Sequence, residues 1–319
     1  ILRLRHKKAY LSSLRYAFLF IMMQKNGQDN MSDDKSIRVK VIEVTRWAPT
    51  LLSFKVTRPD GFKFTAGQFV RLGIHGKDLQ YFAQNHDAKL ITSETQGDEA
   101  QGHEAQDKPI DLDGYVFRPY SVASSPYDEF IEFFSVVIPE GEFTSKVNHI
   151  QVGDSLLLNT TPFGYLTLAR YQLPLPNDLW LLATGTGLAP FLSILKTIDV
   201  WQQYQRIILV YSARTSQELA YQAQISSIKS IYGDNGAAFV FLPIVTREAD
   251  YAGEKARIPN LILSGKLTEL VGQKLDKERS HVMLCGNPQM VEDTKEALKS
   301  IGLTMNRRGE GNIAVENYW

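Results

Sequence analysis

The chain has 319 residues, 44% hydrophobic and 22% charged, and its 35 basic side chains balance 35 acidic ones. That length predicts about two domains, since single cores stop growing efficiently, and the composition excludes disorder and fibrous repeats. Zero net charge excludes a dedicated nucleic-acid binder, which needs an excess of Lys and Arg; the lone cysteine, Cys285, excludes an internal disulfide and favours the reducing cytoplasm.

Residues 1–31 stand apart. Arg3, Arg5, Lys7, Lys8, Arg15 and Lys25 face only Asp29, and the apolar run from Tyr16 to Met23 is far shorter than the ~20 residues that span a bilayer. No small-residue cleavage site follows, because Gln24-Lys25-Asn26 comes next. Met31-Ser32-Asp33-Asp34 reads as a normal start. The expectation is a basic extension outside the fold, with a membrane-surface helix as the alternative.

From Ser36 the pattern turns to period-two alternation, with Ile37, Val39 and Val41 opposite Arg38 and Lys40. Leu52 to Val56, Val70 to Ile74, Phe130 to Val137 and Ser155 to Leu158 continue it, punctuated by turn formers such as Pro59-Asp60-Gly61. Short strands without helical periodicity predict an antiparallel barrel over 32–170. Residues 76–114 interrupt it with nine acids against three bases, and 93–108 hold no aromatic or large aliphatic side chain. Such a stretch buries too little surface to offset its ordering entropy, so a disordered hairpin-loop insertion is expected.

From Asp178 the rhythm becomes strand, helix, strand. Leu179 to Ala183, Ile207 to Tyr211, Phe239 to Val245 and His281 to Leu284 are continuous apolar runs of the kind buried on both faces of a parallel sheet. Leu188, Phe191, Leu192 and Leu195, and later Met290, Val291, Thr294 and Leu298, carry helical spacing. Residues 171–319 therefore read as an α/β nucleotide-binding domain.

Chemistry concentrates in a few motifs. Ala183-Thr184-Gly185-Thr186-Gly187 joins a strand to a helix with Pro190 in its first turn, where bare glycine backbone and the helix dipole suit a pyrophosphate. Arg118-Pro119-Tyr120-Ser121 offers a guanidinium, an aromatic face and a hydroxyl, with Arg118 and Tyr120 on one side of the strand and Ser121 on the other. Gly141-Glu142-Phe143-Thr144 is a second candidate amide site for phosphate. Cys285-Gly286-Asn287-Pro288 puts a thiol at the carboxyl end of a parallel strand, the edge at which ligands bind. Arg214, Arg247 and Arg257 follow strands at that edge and suggest an anion site.

These motifs, in this order, together with the ending Val315-Glu316-Asn317-Tyr318-Trp319, resemble bacterial ferredoxin/flavodoxin-NADP reductases over 32–319, the acidic insertion apart. The resemblance implies an antiparallel FAD barrel followed by an NADP domain. It implies that Arg118 contacts the FAD pyrophosphate, that Tyr120 and Ser121 meet the isoalloxazine, and that backbone or hydroxyl groups of Gly141, Phe143 and Thr144 meet the phosphates. Thr184 would lie where flavin and nicotinamide meet, with Gly185, Thr186, Gly187, Gly286 and Asn287 around the NADP and Cys285 beside the nicotinamide. Arg214, Arg247 and Arg257 would read the 2′-phosphate, Tyr318 would stack on the flavin and Trp319 on the adenine of a bent FAD.

The implied reaction is hydride transfer between NADPH and flavin N5, then single-electron transfer to ferredoxin or flavodoxin, with the cofactors performing the hard chemistry. Ser121, Cys285, Glu316 and Tyr318 would tune the surroundings of N5. No histidine is placed by motif beside Cys285, which argues against a covalent role. The implied protein is a cytoplasmic monomer acting on neither nucleic acid nor membrane. Two alternatives stay open: a general NAD(P)H-flavin reductase or oxygenase reductase component, and a non-catalytic nucleotide-binding adaptor.

Overall fold

A computed structural model describes residues 35–86, 114–171, 176–233 and 236–316. The basic extension, much of the acidic insertion, Tyr318 and Trp319 lie outside the described residues. The first sheet contains β1 (Ser36–Ala48), β2 (Leu51–Thr57), β3 (Phe69–Ile74), β4 (Val116–Ser121), β5 (Phe130–Val136) and β6 (Ser155–Asn159). All its pairings are antiparallel, in the order β4-β3-β6-β1-β2-β5. The sheet curls back on itself: just past β4, Val122 bridges Phe133 of β5, and the Ala123 N–H donates to Glu132 O at 2.8 Å. Inside lie Val39, Val41, Leu52, Phe54, Val70, Leu72, Phe133 and Leu156, the alternate residues of each strand.

The second sheet contains β7 (Asp178–Thr184), β8 (Arg206–Ala213), β9 (Ala238–Val245), β10 (Ser280–Cys285) and β11 (Ile313–Glu316), all parallel, in the order β11-β10-β7-β8-β9. Every residue of β10, and of β7 before Thr184, is buried, which explains their uninterrupted apolar character. The chain leaves β7 toward β8 on one side and later returns to β10 on the other. The strand order reverses at the carboxyl ends of β7 and β10, the place where open α/β sheets leave a crevice. Among the described residues no helix is long and apolar enough to cross a membrane.

The insertion departs from expectation at its start. Gly76–Asp78 forms a 3₁₀ turn and Gln80–His86 a helix, tied to the barrel by fully buried Leu79, by the Gln80 N–H on Asp154 Oδ1 at 2.9 Å, and by the Arg38–Asp78 ion pair at 2.9 Å. Tyr81 stacks on His149 with ring centroids 3.8 Å apart. The excess of acids hides this segment, because Leu79, Tyr81 and Phe82 are apolar side chains of a kind absent from the sequence of 93–108.

A wedge joins the two sheets. Tyr221 lies against Trp47 and Phe134 of the first sheet, with ring centroids at 4.7 and 5.0 Å. Its hydroxyl donates to Glu132 Oε1 at 3.0 Å, while Lys196 Nζ reaches Glu132 Oε2 at 3.2 Å and Ala123 O at 3.0 Å.

Candidate functional site

The crevice at the sheet reversal is built by close backbone approach. A Cβ on Gly187 would run into the carbonyl of Cys285, and one on Gly286 (φ 138°) into the Thr184 hydroxyl, so glycine at both positions lets the turn after β7 lie on the turn after β10. Thr184 Oγ1 accepts from the Asn287 N–H at 2.9 Å. Asn287 in turn caps the helix Pro288–Ser300, its Oδ1 accepting from the N–H groups of Gln289 and Met290. Gly185 differs: at φ 53° it has open space where a side chain would be. The turns Thr184-Gly185-Thr186-Gly187 and Cys285-Gly286-Asn287 therefore pack directly on each other.

Cys285 is wholly buried, and that burial, reinforced by the charge of Glu316, pushes its thiol well above the ordinary range. It is a neutral thiol at physiological pH, without nucleophilic character. Glu316 stands opposite Cys285 in the β10–β11 ladder. It also approaches the barrel: a Cβ on Gly164 (φ 100°) would sit 2.7 Å from Glu316 Oε1 and 2.9 Å from Phe69. Phe69 pairs with Ser121 across the β3–β4 ladder. An unbroken line of neighbours thus runs from Ser121 through Phe69, Gly164 and Glu316 to Cys285 and Thr184.

On the barrel, Arg118 is more than half exposed and lies 4.0 Å from Glu142. Tyr120 is half-buried against Phe143, and its hydroxyl shares a 2.8 Å hydrogen bond with Ser135; burial pushes its pKa up to about 12. In this loop the side chains are engaged within the barrel. Phe143 is 1% exposed and its side chain belongs to the barrel core. The Thr144 hydroxyl is turned onto its own loop, donating to Ile138 O at 2.8 Å and accepting from the Ile138 N–H. Gly141 permits that tie, because a Cβ there would strike the Thr144 hydroxyl.

The three arginines lie at the carboxyl edge of β8 and β9, all exposed. Two of their loops are zipped together: the Arg247 N–H donates to Arg214 O at 2.8 Å and the Thr246 N–H to Ala213 O at 3.0 Å. Arg257 precedes the helix Ile258–Leu263 and accepts from the Leu261 N–H. Sequence reasoning passed over two acids here, Glu218 and Glu248, which hold the arginine loop from either side. Tyr318 and Trp319 lie outside the described residues.

Comparison with known proteins agrees with this geometry. Residues 181–296 match the family model of the oxidoreductase NAD-binding domain. The chain is 34% identical over 284 residues to a ferredoxin--NADP reductase of Pseudomonas aeruginosa, covering 87% of this chain and 95% of the relative. It is 32% identical over 283 residues to a flavodoxin/ferredoxin--NADP reductase of Escherichia coli, covering 88% and 97%. A solved ferredoxin NADP+ reductase from Neisseria gonorrhoeae, with bound FAD and NADP, superposes with a TM-score of 0.72 at 31% identity, covering 89% of this chain and 99% of that one.

Proposed function

The chain belongs to the ferredoxin/flavodoxin-NADP reductase family, and we propose that it moves electrons between NADP(H) and a ferredoxin or flavodoxin through a bound FAD. The observation that carries this reading is the line of neighbours from Ser121 to Thr184, which brings the barrel and the sheet reversal together. The residues present fit the two ligands. The partly buried Tyr120 ring suits a flat isoalloxazine, the accessible Arg118 suits a pyrophosphate, and the open space over Gly185 lets a nucleotide reach bare backbone.

When bound, FAD would supply the hydride-transfer and single-electron chemistry. The chain's own residues bind and orient. Arg118 and the amides of Phe143 and Thr144 would hold the FAD phosphates, with Gly141 shaping their turn through its own N–H on Ile138 O at 2.9 Å, and Tyr120 and Ser121 would hold the ring. Thr184, Gly185, Thr186, Gly187, Gly286 and Asn287 would line the nicotinamide coenzyme. The neutral thiol of Cys285 and the carboxylate of Glu316 shape the polarity of the cleft without taking up a substrate atom. Arg214, Arg247 and Arg257 would take the 2′-phosphate, and Tyr318 and Trp319 would cover flavin and adenine. The same reading assigns 32–170 to FAD and 171–319 to NADP(H), in a cytoplasmic monomer.

One spectrum tests it. Purified protein should carry flavin absorbance that NADPH bleaches faster than NADH, and oxidised ferredoxin or flavodoxin should restore the colour. A protein that takes up no FAD, or whose flavin NADPH leaves oxidised, would refute the proposal.

A further inference from the structure

The arginine edge contains carboxylates where an anion site would be expected to exclude them. Glu218 accepts from Arg214 Nε at 2.9 Å through Oε1 and 3.0 Å through Oε2, from Nη2 through Oε1, and from the Arg214 backbone N–H at 3.1 Å. Among the described residues Nη1 makes no hydrogen bond, so the far end of the guanidinium, with its Nη1 donors, remains for a second oxyanion. The carboxylate is the anchored partner, 15% exposed against 51% for the arginine. Its own backbone carbonyl accepts from the buried Tyr211 hydroxyl at 3.1 Å, and the next residue, Leu219, is buried. Glu248 holds the same loop from the other side, accepting from the Ser216 N–H at 2.7 Å and the Ser216 hydroxyl at 2.9 Å.

We propose that Glu218 is a positioning residue for coenzyme choice, holding Arg214 side-on so that the free end of its guanidinium is presented to the 2′-phosphate. This rests on the reading of Arg214 as a 2′-phosphate ligand. A long, half-exposed arginine loses rotamer freedom when it grips an anion; Glu218 removes that freedom before the coenzyme arrives. The carboxylate also opposes the phosphate charge, so the proposal requires that orientation outweigh repulsion. A second acid, Glu248, keeps the backbone between Arg214 and Glu218 in the shape that lets the two side chains meet.

The test is calorimetric binding of 2′-phospho-AMP and of AMP to the holoprotein, with steady-state kinetics on both coenzymes. Glu218→Ala should weaken 2′-phospho-AMP about five- to tenfold, the loss of an oriented charge-assisted contact, and leave AMP unchanged. The KM for NADPH should rise in step while kcat and all NADH parameters hold. Glu218→Gln, which still offers an oxygen to Nε, should recover part of the loss. Unchanged or tighter 2′-phospho-AMP binding in Glu218→Ala would overturn the proposal, and so would a parallel loss for AMP, which marks a merely structural role. Arg214→Ala separates the two levels: if it too leaves 2′-phospho-AMP binding intact, the phosphate reading itself fails.

Discussion

Replacing Tyr221 with Phe removes the hydroxyl that bonds Glu132 at the joint between the two sheets. The ring stays, with its contacts to Trp47 and Phe134, each worth about 0.5 to 1.5 kcal/mol. What goes is the 3.0 Å bond to Glu132, a carboxylate only 3% exposed whose other oxygen is held by Lys196. Bonds to charged groups contribute roughly 1.5 to 3 kcal/mol. For a protein of this size each kcal/mol moves the melting point by about 2 to 4 °C, so Tm should fall by about 3 to 12 °C. The tyrosine remains a donor at all working pH values, because burial and then the Glu132 charge push its pKa far above the ordinary range. Tyr221 also holds a φ of 64°, a left-handed conformation that a bulky residue keeps only where its surroundings over-determine it. Thermal unfolding of Tyr221→Phe, Glu132→Gln and the double variant measures the coupling. An unchanged Tm in Tyr221→Phe, or the same loss in both Glu132 backgrounds, would refute the argument.

Three further outcomes can be measured. Replacing 87–113 with a short glycine linker should leave FAD content and NADPH-ferricyanide turnover intact, whereas a deletion reaching back to residue 80 should lower Tm, because it removes the Gln80–Asp154 bond and the Tyr81–His149 stack. Burial lowers the His281 pKa from 6.5 to about 4, so this residue contributes stability that is fully present above pH 6.5 and lost as pH falls through about 4. His281→Gln should lower Tm at pH 7.5 by removing the stack on Tyr171, yet show a flatter decline between pH 6 and 4 by calorimetry; an unchanged acid slope would count against the assignment. If Tyr318 covers the flavin as proposed, Tyr318→Ser should improve NADH use by removing a competing stack worth about 0.5 to 1.5 kcal/mol, and steady-state kinetics with both coenzymes would read it.

The sequence was most legible where a single periodicity decides burial. Alternation in Ile37, Val39 and Val41 marks a strand with one buried face, and unbroken runs such as Leu179 to Ala183 mark strands buried on both. The glycines after β7 and β10 were equally readable, because a turn that packs backbone on backbone has few solutions other than glycine. β11 was not among the expected strands: four residues, with only Ile313, Ala314 and Val315 apolar, carry too little pattern to stand out. The helix Gln80–His86 was hidden by averaging charge over a segment whose first residues differ from the rest. Gly164 and Phe143 show a deeper limit. One matters because Glu316 approaches from 152 positions away, the other carries a side chain that belongs to the barrel core, and neither fact has a local signature. Glu218 is the hardest case, since an acid four residues after an arginine is what any solvated loop displays. Its meaning comes from which edge of the guanidinium it takes and from the tyrosine beneath that anchors it. Residue type alone could locate the charge at this edge; only the packing of Tyr211 and Leu219 under the loop decides which way that charge points.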